Sequence, residues 1–379
     1  MNFSLKYRPN KLEDLVGQDV VVRIIRNMFL MGDFSSPLLM VGASGVGKTT
    51  SARIVALCLN CRQGPTAEPC GECSDCVSIR DMSNPDVIEM DAASNTGVED
   101  IRVILENSNY LPFSSRYKVY IIDEVHMLSI SAFNALLKTL ENPAAHVKFI
   151  MATTDIRKVP VTVLSRCQRM DLLRISVKSL YDRLVQIAEM EGVKHDDRSL
   201  VLIAEHSAGS MRNAIFLLEQ SSIYTKGNIS EDDVKTLLGC VDNSLLEDIV
   251  RYILLNEVQN AVSKFRDACV RDTPVSVCEG MLSLVHELCI RAAGVAGKTC
   301  FGEDLLSVEK VNSASFLSRL WQLLSQGMQE IKSSGVLQYQ TGEMLIIRLC
   351  YISDLPSPKK LASFLLSRED DGDFGKKKS

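Results

Sequence analysis

The sequence GASGVGKT, from Gly42 to Thr49, constrains the fold more than any other stretch of this chain of 379 residues. It fits the pattern G-x-x-x-x-G-K-[ST] and lies between a short apolar run, 37–41, and a stretch with apolar residues at helical spacing, 50–60. Strand, glycine-rich loop and helix form the arrangement in which backbone N–H groups surround phosphates. The motif therefore predicts a nucleotide site on an α/β fold.

The residues of this motif divide the work of holding a nucleotide triphosphate and its metal ion. The glycines let the backbone approach the phosphates, Lys48 places a positive charge at the β- and γ-phosphates, and Thr49 offers a hydroxyl to Mg²⁺. The predicted nucleotide-binding residues of the loop are Gly42, Ala43, Ser44, Gly45, Val46, Gly47, Lys48, Thr49 and Thr50.

A second motif, VYIIDEVH, supplies the acids that such a site requires. Its apolar run 119–122 predicts a buried strand that ends in Asp123 and Glu124. Asp123 is placed to reach Mg²⁺, and Glu124 to orient a water for in-line attack on the γ-phosphorus. Two charges at a solvated strand end are the alternative interpretation. Paired with an intact phosphate loop, the acids indicate hydrolysis of ATP with Glu124 as the catalytic base.

Three further runs, 87–93, 147–154 and 168–173, are short, apolar and separated by helical patterns. Strands that alternate with helices predict a parallel sheet of five strands, with ligands at the carboxyl ends of the strands. Thr153 and Thr154 stand at such an end. A hydroxyl there is placed to meet the γ-phosphate or its attacking water.

Composition limits the classes of protein to which the chain can belong. With 46% hydrophobic and 23% charged residues it is predicted to be a soluble globular protein of two or three domains. It opens without an apolar secretory signal and has no run long enough to span a membrane, so we expect a cytoplasmic location with reduced thiols. A net charge of −5 means that any binding of nucleic acid requires a local basic patch.

Four of the 12 cysteines fall in the segment CRQGPTAEPCGECSDC. Cys61, Cys70, Cys73 and Cys76 have the spacing C-x₈-C-x₂-C-x₂-C, which suits a closed tetrahedral site for structural Zn²⁺. An iron–sulfur cluster is the alternative, because it takes the same ligands. Cys58 lies on an apolar helical face and is predicted to be a core residue. Thiols without ligand spacing are predicted to be buried: Cys269, Cys278, Cys289, Cys300 and Cys350.

Taken in order, the motifs resemble one family: the AAA+ ATPase subunits of the bacterial clamp loader, the DNA polymerase III gamma/tau family. The resemblance is dense over residues 5–220 and includes the cysteine spacing, which matches the zinc module of that family. The matching stretches are KYRPNKLEDLVGQD, GASGVGKTTSARIVALCLNC, DAASNTGVEDIR, YIIDEVHMLSISAFNALLKTLENP, FIMATTD, LSRCQRMDL and GSMRNAI.

The resemblance implies roles for residues that periodicity does not identify. Thr154 matches the residue that senses the nucleotide beside the acid-bearing strand. Arg212 matches a second sensor residue, which reaches the phosphates from the small helical domain that follows the sheet. Arg166 matches an arginine that completes the catalytic site of a neighbouring subunit; a surface ion pair is the alternative. Tyr7, Arg8 and Pro9 match the N-terminal segment that packs over the nucleotide base; a structured turn is the alternative.

The resemblance also implies an architecture. Residues 1–175 are expected to form the AAA+ P-loop ATPase domain with a parallel five-stranded sheet and an inserted zinc module at 61–76. A small helical lid domain, 176–238, and an all-α collar domain, 239–366, follow it. Ser230 and Asp233 predict a capping box in the lid. The charged tail 367–379 is predicted to be disordered, and the chain resembles the short family form or a truncated one.

The function implied is that of an ATP-driven motor subunit that opens a sliding clamp and loads it onto primed DNA. Its cofactors would be ATP, Mg²⁺ and structural Zn²⁺. Its partners would be the other subunits of a hetero-pentamer, the clamp, primed DNA and the replicative polymerase, with no membrane. One alternative is a non-hydrolysing assembly subunit, which the intact Lys48, Asp123 and Glu124 disfavour. Another is a different AAA+ DNA motor, which would lack the cysteine module and Ser165-Arg166-Cys167.

Contact with DNA is predicted less sharply. The segment Asn95-Thr96-Gly97 precedes a helix that carries Arg102, and its backbone N–H groups suit phosphate binding. A helix cap with a solvated arginine explains the same residues.

Overall fold

The computed structural model describes residues 3–238, 243–270, 272–295 and 303–354. The chain divides into two compact units, Met1–Val234 and Lys235–Ser379. The predicted tail 367–379 and Cys300 lie outside the described residues. The predicted domain boundaries at 175 and 238 stay predictions.

A sheet of five parallel strands organises the first unit. Its strands are β1 (Leu38–Val41), β2 (Val87–Asp91), β3 (Lys118–Asp123), β4 (Val147–Thr153) and β5 (Gln168–Asp171). Their spatial order is β2-β3-β4-β1-β5, so β1 lies between β4 and β5. The register pairs Val41 with Thr153 and with Asp171, and it pairs Asp91 with Asp123. The predicted parallel five-stranded sheet is therefore confirmed, and the polar strand ends share one edge.

Burial on both faces explains why the central strands are short apolar runs. All four residues of β1 are buried, and their side chains alternate between two hydrophobic cores. Leu38 and Met40 lie in the core that contains Ile54 and Cys58, whereas Leu39 lies in the other core with Tyr120 and Phe149.

Helices cover both faces of the sheet. The helices up to β5 are α1 (Phe3–Lys6), α2 (Asp19–Met31), α3 (Lys48–Asn60), α4 (Ser74–Arg80), α5 (Val98–Ser108), α6 (Ile130–Glu141) and α7 (Val161–Leu164). Side chains and glycines fix several of their ends. Ser129 accepts a hydrogen bond from the Ala132 N–H at the start of α6, and Gly32 ends α2 with a left-handed φ of 68°.

A helical region follows β5, as predicted. Its elements are α8 (Val177–Glu191), β6 (Lys194–His195), α9 (Asp197–His206), α10 (Met211–Tyr224), β7 (Asn228–Ile229) and α11 (Glu231–Leu237). Ser230 and Asp233 form the predicted capping box: each side chain accepts a hydrogen bond from the other residue's backbone N–H at 3.3 Å. The sequence did not predict the two-residue parallel pairing of β6 with β7.

The second unit is helical in its described residues. Its helices are α12 (Asn243–Leu255), α13 (Val258–Cys269), α14 (Pro274–Ala292), α15 (Glu303–Leu306), α16 (Ala314–Ser333) and α17 (Gln338–Cys350). Their apolar faces meet in one core. Cys278 and Cys350 are buried there as predicted, whereas Cys269 and Cys289 are only partly buried because they lie at its margin. Over the described ranges, no helix combines the length and apolar character needed to cross a bilayer.

Candidate functional site

The loop 42–47 joins β1 to α3 through backbone geometry that depends on glycine. Gly45 has a φ of +74°, and a Cβ there would overlap the Ser210 hydroxyl. Gly42 lies so close to Leu172, the residue after β5, that an added Cβ would stand 2.6 Å from its carbonyl oxygen. Helix α3 begins at Lys48 with Gly47 as its N-cap. The helix N-terminus therefore faces the loop, as phosphate binding requires.

Lys48 is buried at the base of this loop. Its Nζ donates hydrogen bonds of 3.0 Å to the carbonyl oxygens of Gly42 and Ala43. Burial lowers the pKa of Lys48 and Arg212 adds to that effect, while the carboxylates of Glu124 and Asp123 oppose it. The ammonium group is thus placed among groups that complement a phosphate and its metal ion.

Thr49 and Asp123 meet where α3 begins and β3 ends. The Thr49 hydroxyl donates to Asp123 Oδ2 at 2.5 Å, and Asp123 Oδ1 accepts from the Glu124 N–H at 2.9 Å. A hydroxyl and a carboxylate side by side are hard oxygen donors, which Mg²⁺ prefers. The residues present therefore fit the metal ion that accompanies a bound nucleotide.

Glu124 follows β3 in a left-handed conformation, with a φ of 47°. Its Oε2 accepts hydrogen bonds from the Thr154 hydroxyl at 2.9 Å and from the Thr154 N–H at 3.2 Å. His126 Nδ1 lies 3.4 Å from the same oxygen and 3.0 Å from the Thr153 hydroxyl. The structure thus brings Glu124 and Thr154 together. His126 is a neighbour that the sequence analysis missed, although it stands in the same motif.

Thr153 itself is turned away from the cleft. Its side chain is fully buried, where its hydroxyl meets His126 and accepts from the Asp155 N–H at 3.1 Å. Of the two threonines at this strand end, Thr154 is the one whose hydroxyl contacts a proposed catalytic group.

The cleft beside the loop is closed by α1, α8 and α10 of the same unit. Its lining includes most of the predicted residues: Tyr7, Arg8, Ser44, Gly45, Val46, Gly47, Lys48, Thr49, Thr50, Asp123, Glu124 and Arg212. It also includes Pro9, which was predicted together with Tyr7 and Arg8, and residues that the sequence analysis did not identify: Ser4, Asp14, Leu15, Val16, Ile175, Arg183, Met211 and Ile215. The apolar members among these suit a planar base. Arg183 carried no sequence signal, because one arginine on a helix is ordinary.

Positive charge gathers at the cleft around Arg8, which has Arg53 and Arg212 nearby. The Arg212 N–H donates to the Gly45 carbonyl at 3.3 Å, which fixes the start of α10 against the loop. Burial lowers the pKa of Arg8; the positive charges of Arg53 and Arg212 act in the same direction, while Glu89 opposes them. Tyr7 is anchored to α8 by a hydrogen bond of 2.5 Å from its hydroxyl to Glu191. Cations held this close together favour a bound anion.

Arg166 does not line this cleft. Its guanidinium forms an ion pair with Glu141 and donates to the Thr162 carbonyl oxygen at 2.6 Å. The surface ion pair that the sequence allowed is therefore present within the single chain. In the predicted DNA segment, Arg102 pairs with Glu99, and the Asn95 amide donates to the Asp91 carbonyl at 3.0 Å.

The four spaced cysteines form a cluster beside α3. The Sγ atoms of Cys61, Cys70, Cys73 and Cys76 all lie within 4.8 Å of one another. Backbone N–H groups point at the sulfur atoms, from Cys70 to Cys61, from Cys73 to Cys70 and from Cys76 to Cys73, each at 3.4 Å. Backbone N–H groups of Glu72 and Cys73 lower the pKa of the Cys70 thiol to about 7. Four converging sulfur atoms with N–H donors fit a tetrahedral thiolate site.

Cys58 stands apart from the cluster, as predicted. It is fully buried, and its Sγ lies 3.6 Å from the Ala67 carbonyl oxygen. Burial raises the pKa of Cys58 to about 12.

Comparisons with known proteins agree along the length of the chain. Residues 17–176 match a family model described as DNA polymerase III, delta subunit. Residues 179–227 match the ATPase lid domain of the DNA polymerase III clamp loader subunit, and residues 229–365 match domain III of DNA polymerase III subunits gamma and tau.

Two curated relatives illustrate the match. The DNA polymerase III subunit gamma of Buchnera aphidicola subsp. Acyrthosiphon pisum is 36% identical over 349 residues, which are 88% of this chain and 94% of that protein. The DNA polymerase III subunit tau of Bacillus subtilis is 35% identical over 361 residues, or 92% of this chain and 64% of that protein. The chain thus spans less than two thirds of that tau subunit.

Among solved structures, the Holliday junction branch migration motor RuvB of Thermotoga maritima is 20% identical with a TM-score of 0.46; the match covers 65% of this chain and 79% of that one. The sequence relatives determine the assignment. The sheet with its phosphate loop, the lid and the matches to both gamma and tau subunits show that this chain belongs to the DNA polymerase III gamma/tau family, whose members carry an AAA+ ATPase fold.

Proposed function

We propose that this chain is an ATP-hydrolysing subunit of a clamp loader, which uses ATP to open a sliding clamp and load it onto primed DNA. The observation that carries the proposal is one cleft that brings together Lys48, the Thr49–Asp123 pair, Glu124 and Arg212. A binding protein needs the phosphate loop but has no use for a paired acid at the γ-phosphate position.

In this proposal the triphosphate of ATP lies on the loop 42–47 at the N-terminus of α3. Lys48 leaves its loop carbonyls to bind the β- and γ-phosphates, and Arg212 reaches them from α10. Thr49 and Asp123 would hold Mg²⁺, which neutralises charge on the phosphates when it is bound. The adenine base of ATP would lie against Leu15, Val16, Ile175 and Ile215, beneath the segment that carries Tyr7 and Arg8.

Glu124 is the proposed catalytic base. With ATP bound, its carboxylate orients a water in line with the γ-phosphorus; without nucleotide, the Thr154 hydroxyl holds that carboxylate through the bond of 2.9 Å. Thr154 is then released to the γ-phosphate when ATP binds, so it senses the nucleotide through Glu124.

Arg166 is proposed to act on the cleft of a neighbouring subunit. Within its own chain it lies outside the cleft and is held by Glu141, so an isolated subunit has an incomplete catalytic site. The proposed partners are the other loader subunits, the clamp, primed DNA and the replicative polymerase. The domains proposed for these roles are the ATPase domain 1–175, the lid 176–238 and the collar 239–366.

The cysteine cluster is proposed to hold one structural Zn²⁺ through Cys61, Cys70, Cys73 and Cys76. All four ligands come from the protein, so a tetrahedral ion would have no open position for catalysis. Zinc would replace the hydrophobic core that this short segment cannot build.

Substitution of Glu124, the proposed catalytic base, tests whether the chain hydrolyses ATP as proposed. Glu124→Gln should retain ATP binding and lower the rate of hydrolysis by about 100-fold or more, because an amide cannot polarise the water as a carboxylate does. Lys48→Ala should weaken both. Filter binding of labelled ATP and phosphate release measure the two effects, with Glu106→Gln on the exposed face of α5 as the control. Equal hydrolysis by Glu124→Gln and the unsubstituted chain would contradict the assignment.

A further inference from the structure

The turn between α5 and β3, residues 109–117, exposes three large apolar side chains, whereas its last residue, Tyr117, packs against the core. Tyr110 is 69% exposed, Leu111 75% and Phe113 87%. A turn that buries so little apolar surface gains little stability from the hydrophobic effect. Its position therefore depends on polar contacts.

Four buried or partly buried side chains make those contacts, and one of them is Asn60, which exchanges hydrogen bonds of 2.8 and 2.9 Å with the Tyr117 backbone. The carboxylate of Asp86, fully buried before β2, accepts hydrogen bonds from the N–H groups of Phe113, Ser114 and Ser115 at 2.6, 2.7 and 2.8 Å. Lys118 Nζ donates to the carbonyl oxygens of Asn107 and Tyr110, at 3.0 and 3.4 Å. His146 Nε2 also reaches Tyr110, at 3.1 Å.

A further set of contacts joins the turn to the cysteine segment. The Ser115 hydroxyl donates to Asp75 Oδ1 at 3.0 Å, and Asp75 is a buried residue of α4 between two cluster cysteines. Asn84 Nδ2 donates to the hydroxyls of Ser115 at 3.1 Å and of Ser78 on α4 at 2.9 Å. The Asn84 side chain also accepts from the Asp86 N–H at 2.9 Å. The same small network therefore contacts α4, the turn and Asp86.

The position of α4 depends in turn on the cluster. Cys73 is the N-cap of α4, and Cys76 is a buried residue of its first turn. A helix of seven residues is too short to be stable by itself. A metal held by these thiolates would fix α4, and with it the carboxylate of Asp75.

We propose that metal binding at the cysteine cluster sets the order of the exposed turn 109–117, through Asp75, Asn84 and Ser115. Ser115 is a positioning residue in this scheme. The proposal rests on the metal site proposed above. By linkage, a metal that stabilises the ordered turn must itself bind more weakly when the connection is cut.

Hydrogen exchange and zinc affinity test the two directions of this coupling in the full chain. Zinc content is measured first. Removal of zinc by a chelator should speed exchange of the Phe113, Ser114 and Ser115 amides by about tenfold or more, while β3 amides stay protected. In Ser115→Ala the same amides should exchange faster even with zinc bound, and removal of zinc should not change their exchange further. Chelator competition should show that Ser115→Ala binds zinc about tenfold more weakly. Ser114→Ala is the matched control, because its hydroxyl bonds Asp86 rather than Asp75.

The outcomes separate the two proposals. Bound zinc with amide exchange in the turn that is unchanged by its removal would overturn the coupling and leave the metal site standing. Equal zinc affinity in Ser115→Ala and Ser114→Ala would also overturn it. A chain that binds no zinc would overturn the metal site and the coupling together.

Discussion

Glu124 shows how much of the proposed chemistry depends on single residues. Its left-handed φ of 47° is uncommon for a residue with a side chain, and it places the carboxylate against Thr154 at the end of the neighbouring strand. Conformational strain at such a position is typical of a functional site. Gly45 is the second such residue, because it combines a left-handed backbone with a close approach to Ser210.

Gly45→Ala should therefore weaken ATP binding by about tenfold or more and lower the thermal midpoint of the first unit. The new methyl group carries the cost of a left-handed conformation, about 1–2 kcal/mol, and it must also push Ser210 away. Gly32→Ala is the matched control: Gly32 has a similar φ of +68° but no atom within 4 Å of the added Cβ. Titration with a fluorescent ATP analogue compares them. Equal ATP affinity in the two variants would show that the contact of Gly45 with Ser210 is unimportant.

Asp86 gives a prediction for pH. Burial acts to raise its pKa, but hydrogen bonds from the N–H groups of Ser114, Ser115 and Phe113 outweigh burial, so the pKa lies below the ordinary 3.8. A carboxylate with a lowered pKa stabilises the fold fully above that ordinary value, and the contribution is lost as the pH falls through the lowered one. Asp86→Asn should thus cost about 1.5–3 kcal/mol at pH 7. The difference should shrink below pH 3.8.

Urea unfolding of the two proteins across pH 7 to about pH 3 measures this difference. Asp81→Asn, at an exposed position of the same segment, is the control and should cost little at any pH. A cost of Asp86→Asn that stays constant or grows as the pH falls would contradict a charged Asp86 as the group that holds the turn.

At the scale of elements, most strands and helices could be predicted from local patterns in the sequence. The apolar run 37–41 became Leu38–Val41, and the run 147–154 became Val147–Thr153, because buried parallel strands must be apolar on both faces. The pairing of β6 with β7 was not predictable, since two-residue strands leave no period to detect. Asp86 gave no signal either, because its partners lie 27 to 29 residues away along the chain.

The positions of the phosphate loop and of Asp123 and Glu124 in the fold were predictable, because each follows directly on an apolar run that forms a buried strand. Arg183 was missed because the folded chain, and no motif, brings it to the cleft. His126 stands in the motif of Glu124, but the motif does not show that its ring turns back to the Glu124 carboxylate.

The cysteine cluster predicts about one bound Zn²⁺ per chain. Cys73→Ala combined with Cys76→Ala should abolish zinc binding, whereas Cys58→Ala should keep it, because Cys58 is buried outside the cluster. Elemental analysis of the purified proteins measures both. ATP hydrolysis should stay within about threefold, since the expected site is structural. Full zinc content in the double variant, or none in the unsubstituted chain, would remove the metal assignment.

At the scale of the whole molecule, the proposed catalytic site is shared between neighbouring subunits. The cleft contains the groups that bind and orient ATP and water, but Arg166 lies outside it in an ion pair with Glu141. An arginine supplied by a neighbour is typically worth about 10³–10⁵ in rate. The isolated chain should therefore hydrolyse ATP slowly, and assembly with the other loader subunits, clamp and primed DNA should stimulate it.

ATP hydrolysis by reconstituted loaders with mixed subunits, measured with clamp and primed DNA present, tests this account most directly. Arg166→Ala should leave ATP binding in its own cleft intact and depress hydrolysis in the neighbour. Mixtures of Arg166→Ala with Lys48→Ala should recover activity where an intact loop faces an intact arginine. Arg169→Ala, an exposed arginine of β5, should have no effect. If clamp and DNA give no stimulation, or Arg166→Ala lowers the rate of a dilute monomer by the same factor as the assembly, the proposed shared-site motor is wrong.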